Sequence, residues 1–198
     1  MKIERIVAGN LQTNGYFLYD SQTSKGYIID PDDSADVFLE KVKQISLKIK
    51  GIILTHHHYD HRGAVEGIRA KMSCPLYIHE DDKDKLPIEA NMILKSRDSI
   101  FVGETEFHVV HTPGHTMGSI CLISEKENIA FTGDTIFNVD LGRTDLADGS
   151  PDEMRRSIKE IISNWKDEVV IYPGHGDPCT MAYVRKHNRE YIDMEYGL

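Results

Sequence analysis

Thr55-His56-His57-His58-Tyr59-Asp60-His61 directly follows the apolar run Ile52-Ile53-Leu54. A histidine-rich segment therefore begins where a buried strand ends, and α/β sheets carry their functional sites at the carboxyl ends of strands. His56 and His58 are two residues apart. In extended chain their side chains share one face and can share one metal ion. A turn at Tyr59 would then send Asp60 and His61 toward a neighbouring ion. Three other places repeat the arrangement: Val109-Val110 leads to Gly114-His115, Ile129-Ala130-Phe131 leads to Gly133-Asp134, and Val169-Val170-Ile171-Tyr172 leads to Gly174-His175. In each, a glycine lets the backbone turn sharply in front of a ligand-type side chain. Imidazole and carboxylate are the donors suited to zinc, iron and manganese. One histidine beside a strand is usually structural; four strand ends that all carry imidazole or carboxylate point to a metal centre.

Outward from these motifs the chain alternates strands and helices. Strands are expected over Glu4 to Ala8, Tyr16 to Tyr19, Gly26 to Asp30, Lys50 to Leu54 and Pro75 to His79. A second block follows at Ile100 to Val102, Glu106 to His111, Ile120 to Ser124, Ile129 to Thr132 and Glu168 to Tyr172. Helical spacing marks Ser34 to Ser46, Gly63 to Lys71 and a final helix from Thr180 to Glu195. Ser150-Pro151-Asp152-Glu153 reads as a helix start with a capping box. Asp81 to Lys95 is expected to hold one or two short surface helices, and Asn138 to Gly149 a long loop. Two blocks of strands, each followed by helices, give an α/β fold in one domain over residues 1–198.

Bulk properties narrow the function. The 198 residues carry a net charge of −9 and are 40% hydrophobic. Nucleic-acid binding needs a basic footprint, and the loose cluster Lys41, Lys43, Lys48 and Lys50 is interleaved with apolar residues. No apolar run approaches the roughly 20 residues of a membrane span. Met1 to Arg5 lacks the core of a secretory leader, so none is expected. The three cysteines, Cys74, Cys121 and Cys179, form no C-x-x-C pair. They fit burial in a reducing cytosol better than disulfides, although Cys179 lies near a ligand candidate.

The combined pattern H-x-H-x-D-H, then Gly-His, Gly-Asp and Gly-His, resembles the metallo-β-lactamase superfamily from Asn14 to His175. The resemblance implies a four-layer αβ/βα sandwich with two mixed sheets flanked by helices. It implies that His56, His58 and His115 bind one metal ion, that Asp60, His61 and His175 bind a second, and that Asp134 bridges them. Five histidines with no cysteine ligand, together with Gly142-Arg143-Thr144-Asp145-Leu146, look most like glyoxalase II. No separate C-terminal glutathione-binding domain is expected here, and His175-Gly176-Asp177-Pro178 lacks the tyrosine that glyoxalase II places after its last ligand. The persulfide dioxygenases, with one iron on two histidines and an aspartate, are the alternative; here those would be His56, His115 and Asp134.

Two divalent ions, zinc by preference with iron or manganese possible, would sit about 3.5–4 Å apart and share a hydroxide of lowered pKa, the nucleophile for a thioester. Asp60 and Asp134 each have a second oxygen to orient it. The loaded site is cationic inside an acidic chain, so a small anionic substrate is expected, with Arg143 either gripping its carboxylate or pairing with Asp145 or Asp148. Neither a membrane nor a nucleic acid is expected as partner, and the oligomeric state is left open. His57 should point away from the ligand pair in a supporting role. His79 and His187 are expected at the surface, and His108 and His111 to pack or cap within a strand. Asp30 is a candidate to orient a ligand histidine.

Overall fold

Side-chain alternation along the strands sets the layers. In the strand Thr13–Tyr19, Tyr16 and Leu18 face one way and Phe17 and Tyr19 the other, and all four are buried. A strand buried on both faces needs a packing layer on each side. The computed structural model, which describes residues 1–197, supplies them. Phe17, Ile28, Ile52 and Leu54 pack with Phe38, Val65 and Ile68 of two helices. Tyr16, Leu18, Ile29 and Ile53 pack instead with Phe107, Val109, Leu122 and Phe131 of the opposite sheet. The far face of that second sheet, with Ile123, Ala130 and Ile171, packs against Met154, Ile158, Val184 and Tyr191. The order is helix, sheet, sheet, helix, as expected.

The first sheet has the strands β1 (Lys2–Ala8), β2 (Thr13–Tyr19), β3 (Lys25–Ile29), β4 (Lys48–Ile53), β5 (Leu76–His79) and β6 (Met92–Leu94), in that spatial order. Its β1 to β3 are antiparallel, and β3 to β6 run parallel. Helices α1 (Ala35–Gln44) and α2 (Val65–Met72) cover it. The second sheet has β7 (Ser99–Val102), β8 (Thr105–His111), β9 (Ile120–Ser124), β10 (Ile129–Gly133), β11 (Val170–Pro173) and β12 (Cys179–Thr180), with β12 at one edge and β7 at the other. Only β10 and β11 are parallel neighbours there. Helices α3 (Pro151–Arg156), α4 (Met181–His187) and α5 (Arg189–Tyr196) lie on its outer face.

Three local expectations are corrected. Asp81 to Lys95 holds one short surface helix, the 3₁₀ turn Lys83–Lys85, as expected, but also β6, which adds to the edge of the first sheet. A three-residue strand is too short to show a period. The final helix breaks at Asn188, whose side chain accepts from the Tyr191 N–H at 2.8 Å and donates to the carbonyls of Phe137 and Asp140. At α3, Ser150 Oγ does accept from the Glu153 N–H at 3.3 Å, but the Ser150 N–H donates to the Gly114 carbonyl and Glu153 pairs with Arg156. The reciprocal half of the capping box is therefore not made. Among the described residues no helix is long and apolar enough to cross a membrane.

Phe131 stands between the sheets, its ring 5.3 Å from those of Tyr16 and Tyr172 and 5.9 Å from that of Phe107. Truncating a buried aromatic removes apolar burial and leaves a cavity. Phe131→Ala is expected to lower the unfolding free energy by about 3–5 kcal/mol, read by chemical denaturation. A loss below about 1 kcal/mol would show that the sheet interface collapses freely around the site.

Candidate metal centre

All four expected strand ends meet at one place. The end of β4 delivers His56 and His58, and the 3₁₀ turn Tyr59–His61 turns Asp60 and His61 inward. His115 comes from the loop after β8, Asp134 follows β10, and His175 follows β11. Three overlapping groups of donor atoms result: His56, His58 and His115; Asp60, His61 and His175; and His56, His61 and Asp134, which joins the other two. Asp134 reaches both of those: its Oδ2 is 3.5 Å from His115 Nε2 and 3.4 Å from His175 Nε2, and its Oδ1 is 3.2 Å from His61 Nε2.

The ring nitrogens are assigned by their outer partners. His61 Nδ1 is 3.0 Å from Asp30 Oδ2, His115 Nδ1 is 2.8 Å from the Arg143 carbonyl, and His175 Nδ1 is 3.1 Å from the Leu11 carbonyl. His56 Nδ1 is 3.1 Å from Thr55 Oγ1. In all four the anchored Nδ1 leaves Nε2 facing the cluster, the arrangement that fixes tautomer and ring angle in metal sites. His58 is reversed. Its Nδ1 faces His115 Nε2 at 2.9 Å, and its Nε2 points toward Asp148. The Asp30 carboxylate also accepts from Thr55 N–H and Thr55 Oγ1, so the support expected of Asp30 extends to the strand end itself.

Close backbone approach comes from two glycines. A Cβ on Gly174 would overlap the Asp134 carboxylate and the His61 ring. Gly133 has φ +47°, a left-handed conformation that strains other residues, and a Cβ there would meet Thr55.

Burial and charge show what the cluster lacks. His56 Nε2, His61 Nε2 and Asp134 Oδ1 are buried without an aligned hydrogen bond, even though the last two are 3.2 Å apart. Buried polar atoms are normally satisfied, and three converging on one point fit a bound cation. Burial, with His61 adding to it, holds the His56 imidazole well below its ordinary pKa. Burial and the facing His115 push His58 down to about 4. For His61, burial acts downward but is outweighed by the Asp134 and Asp30 carboxylates, which raise it well above the ordinary value. His175 is raised to about 9: burial opposes the shift, and contacts with Asp134 and Asp60 outweigh it. Asp134, which burial alone would raise, is held well below the carboxylate range chiefly by His61 and His175. The residues present fit divalent ions.

Other expectations fare unevenly. His57 does point away, with Nδ1 2.9 Å from Asp82 and Nε2 2.8 Å from Asp148. Asp82, which reads as part of an acidic surface run, is buried and accepts from Thr116 Oγ1 and from the backbone N–H groups of His57 and Gly118. Nothing in its local sequence signals this. His79 is not at the surface. It is buried and stacks on His111 at 4.1 Å, because it shares the face of β5 that carries Tyr77 and meets the second sheet. His108 and His187 are exposed. Arg143 makes a two-pronged pair with Asp145, at 2.7 and 2.8 Å. Cys179 is half-buried, and burial pushes its thiol up to about 11, which disfavours thiolate chemistry.

The sequence model of the metallo-β-lactamase superfamily matches residues 8–175. The chain belongs to the metallo-β-lactamase superfamily. Within it, the chain is 30% identical to the hydroxyacylglutathione hydrolase GloC of Haemophilus influenzae, over 95% of this chain and 97% of that protein. Two solved structures of the same fold are similar. The B3 metallo-β-lactamase BLEG-1 has a TM-score of 0.89 at 30% identity, covering 95% of this chain and 98% of that one. TTHA1623 in a di-iron-bound form has a TM-score of 0.83 at 27% identity, covering 94% and 98%. The family membership and the histidine and aspartate clusters together make this chain a metallo-hydrolase of that fold.

Two outcomes are expected at this centre. Asp30→Asn keeps the shape but removes the charge facing His61 Nδ1; metal affinity should fall by about 10–100-fold, measured by chelator competition, and unchanged affinity would remove Asp30 from the site. In the metal-free chain, His61 and His175 carry raised pKa values and hold protons at neutral pH, so metal must displace those protons. Uptake should therefore release protons and weaken as pH falls. Calorimetry in buffers of different ionisation heat checks this, and a buffer-independent heat would contradict it.

Proposed function

We propose that this metallo-hydrolase is a binuclear, glyoxalase II-like thioesterase that cleaves thioesters of small thiols. The observation that carries the reading is the place of Asp134, whose Oδ2 faces His115 at 3.5 Å and His175 at 3.4 Å, so that one carboxylate reaches donors of both the His56, His58 and His115 group and the Asp60, His61 and His175 group. His56, His58 and His115 would hold one ion, Asp60, His61 and His175 the other, and Asp134 would contact both. Divalent ions bound there, zinc by preference, supply a water of lowered pKa and polarise a carbonyl. The remaining work falls to the chain. Asp60 and Asp134 keep second carboxylate oxygens with which to orient the attacking water. Thr13 Oγ1 donates to Asp60 at 3.3 Å and fixes that carboxylate. A thiolate leaves readily because thiol pKa values lie near 8.5, so the departing sulfur needs no dedicated acid. The similarity to the Haemophilus hydroxyacylglutathione hydrolase supports the thioester as the bond attacked. Three unpaired cysteines suit a reducing cytosol.

The second donor group favours two ions over a mononuclear iron dioxygenase. That alternative would use only His56, His115 and Asp134, and it gives Asp60, His61 and His175 no role. Asp134→Ala and His58→Ala should each lower kcat/KM for thioesters on the order of 10³-fold, about 4 kcal/mol of transition-state stabilisation. About two metal ions per chain are expected by elemental mass spectrometry. Retained hydrolysis in either variant would sink the thioesterase. Close to one iron per chain, with oxygen uptake on a persulfide that survives His58→Ala, would put the dioxygenase in its place.

A further inference from the structure

The cavity over the metal centre has a volume of about 900 Å³. Its wall beyond the histidines is mostly hydrocarbon, from Leu11, Phe137, Val139, Leu141 and Leu146. Leu11, Val139 and Leu146 are 52%, 41% and 37% exposed, so apolar surface is presented around the mouth. Such surface grouped at a site marks a place where an apolar ligand is taken up.

The charges on the same wall point the same way. Asp140 and Glu190 both line it. Away from the histidines, Arg143 is the one basic residue among the described lining residues. Its Nε–Nη2 edge is engaged: Nε donates to Asp145 Oδ1 at 2.7 Å and Nη2 to Asp145 Oδ2 at 2.8 Å. This is the forked edge with which an arginine would grip a substrate carboxylate. Beyond the cationic metal centre, the outer wall therefore offers an anionic thiol only an arginine whose forked edge is taken up by Asp145, while Asp140 and Glu190 repel it. Repulsion of like charge is an effective way to reject a wrong ligand.

We propose that the outer cavity selects an uncharged thioester with an apolar substituent and rejects anionic thiols such as glutathione, with Asp145 as the residue that sets this preference. The inference rests on the thioesterase reading for the identity of the bond cleaved, while the charge selection belongs to the cavity wall. Removing the Asp145 charge frees the Arg143 fork. That change should admit an anionic thiol while leaving a neutral one unaffected.

The test is binding of two non-hydrolysable thioethers to the metal-loaded protein by calorimetry: S-hexylglutathione and N-acetyl-S-hexylcysteamine. The neutral thioether is expected to bind at least about tenfold more tightly, a difference of about 1.4 kcal/mol. Asp145→Asn, an exposed substitution, should tighten S-hexylglutathione several-fold and leave the neutral compound unchanged. Equal or tighter binding of S-hexylglutathione by the unaltered protein would overturn the proposal. An Asp145→Asn protein with an unchanged ratio would remove Asp145 from it. Hydrolysis of the matching thioesters is followed in parallel. Turnover of neither would sink the thioesterase reading, and the binding ratio would still decide the charge selection.

Discussion

The metal centre depends on the two sheets being held in register at one edge. Hydrogen bonds across that edge do this beside the ligands themselves. The Ile120 N–H donates to the Thr55 carbonyl at 2.9 Å, and the Asn14 N–H donates to the Gly174 carbonyl at 2.7 Å. The Tyr16 hydroxyl and the Asn14 side chain both donate to the Pro173 carbonyl. Thr55 precedes His56 and Gly174 precedes His175, so a sheet slipping by one residue would part the donor groups. The aromatic packing of Tyr16, Phe131 and Tyr172 just behind these bonds gives the edge a rigid backing.

Such rigidity has a cost in electrostatics. Five imidazoles and two carboxylates are drawn together, most of them buried. Without a cation their protonation is frustrated: His56 and His58 are driven toward neutrality while His61 and His175 are driven toward charge. Neighbouring groups of one chemical type are split by which of them face carboxylates. A cation resolves this, because it takes the inward lone pairs of neutral imidazoles and balances Asp60 and Asp134. The outer partners, Asp30, Thr55 and the carbonyls of Leu11 and Arg143, already hold four rings in the tautomer such a cation needs.

Around the centre, the cavity wall is held by residues remote in sequence. Asn188 ties the carbonyls of Phe137 and Asp140 to the junction of α4 and α5, and Glu190 accepts the Leu141 N–H at 2.9 Å. On the other side, His57 links Asp148 to the buried Asp82. The loop between Asn138 and Gly149 is thus fastened at both ends, and the apolar residues it carries stay over the site.

The sequence by itself determined which imidazoles and carboxylates stand at strand ends, and the alternation of strand blocks with helices. His56 and His58 share a face because residues two apart in extended chain must, and two blocks of strands, each followed by helices, call for sheets stacked inside helices. Those constraints are local and covalent. It did not determine the role of Asp82, whose donors lie 25 to 36 residues away, or the fate of Arg143, for which a substrate carboxylate and an ion pair with Asp145 or Asp148 were both open until the loop was folded. Nor did it place the break at Asn188, His79 in the interior, or β6 at a sheet edge. Solvation of a carboxylate, the burial of a ring and the pairing of a three-residue strand are set by neighbours that only the tertiary structure brings together.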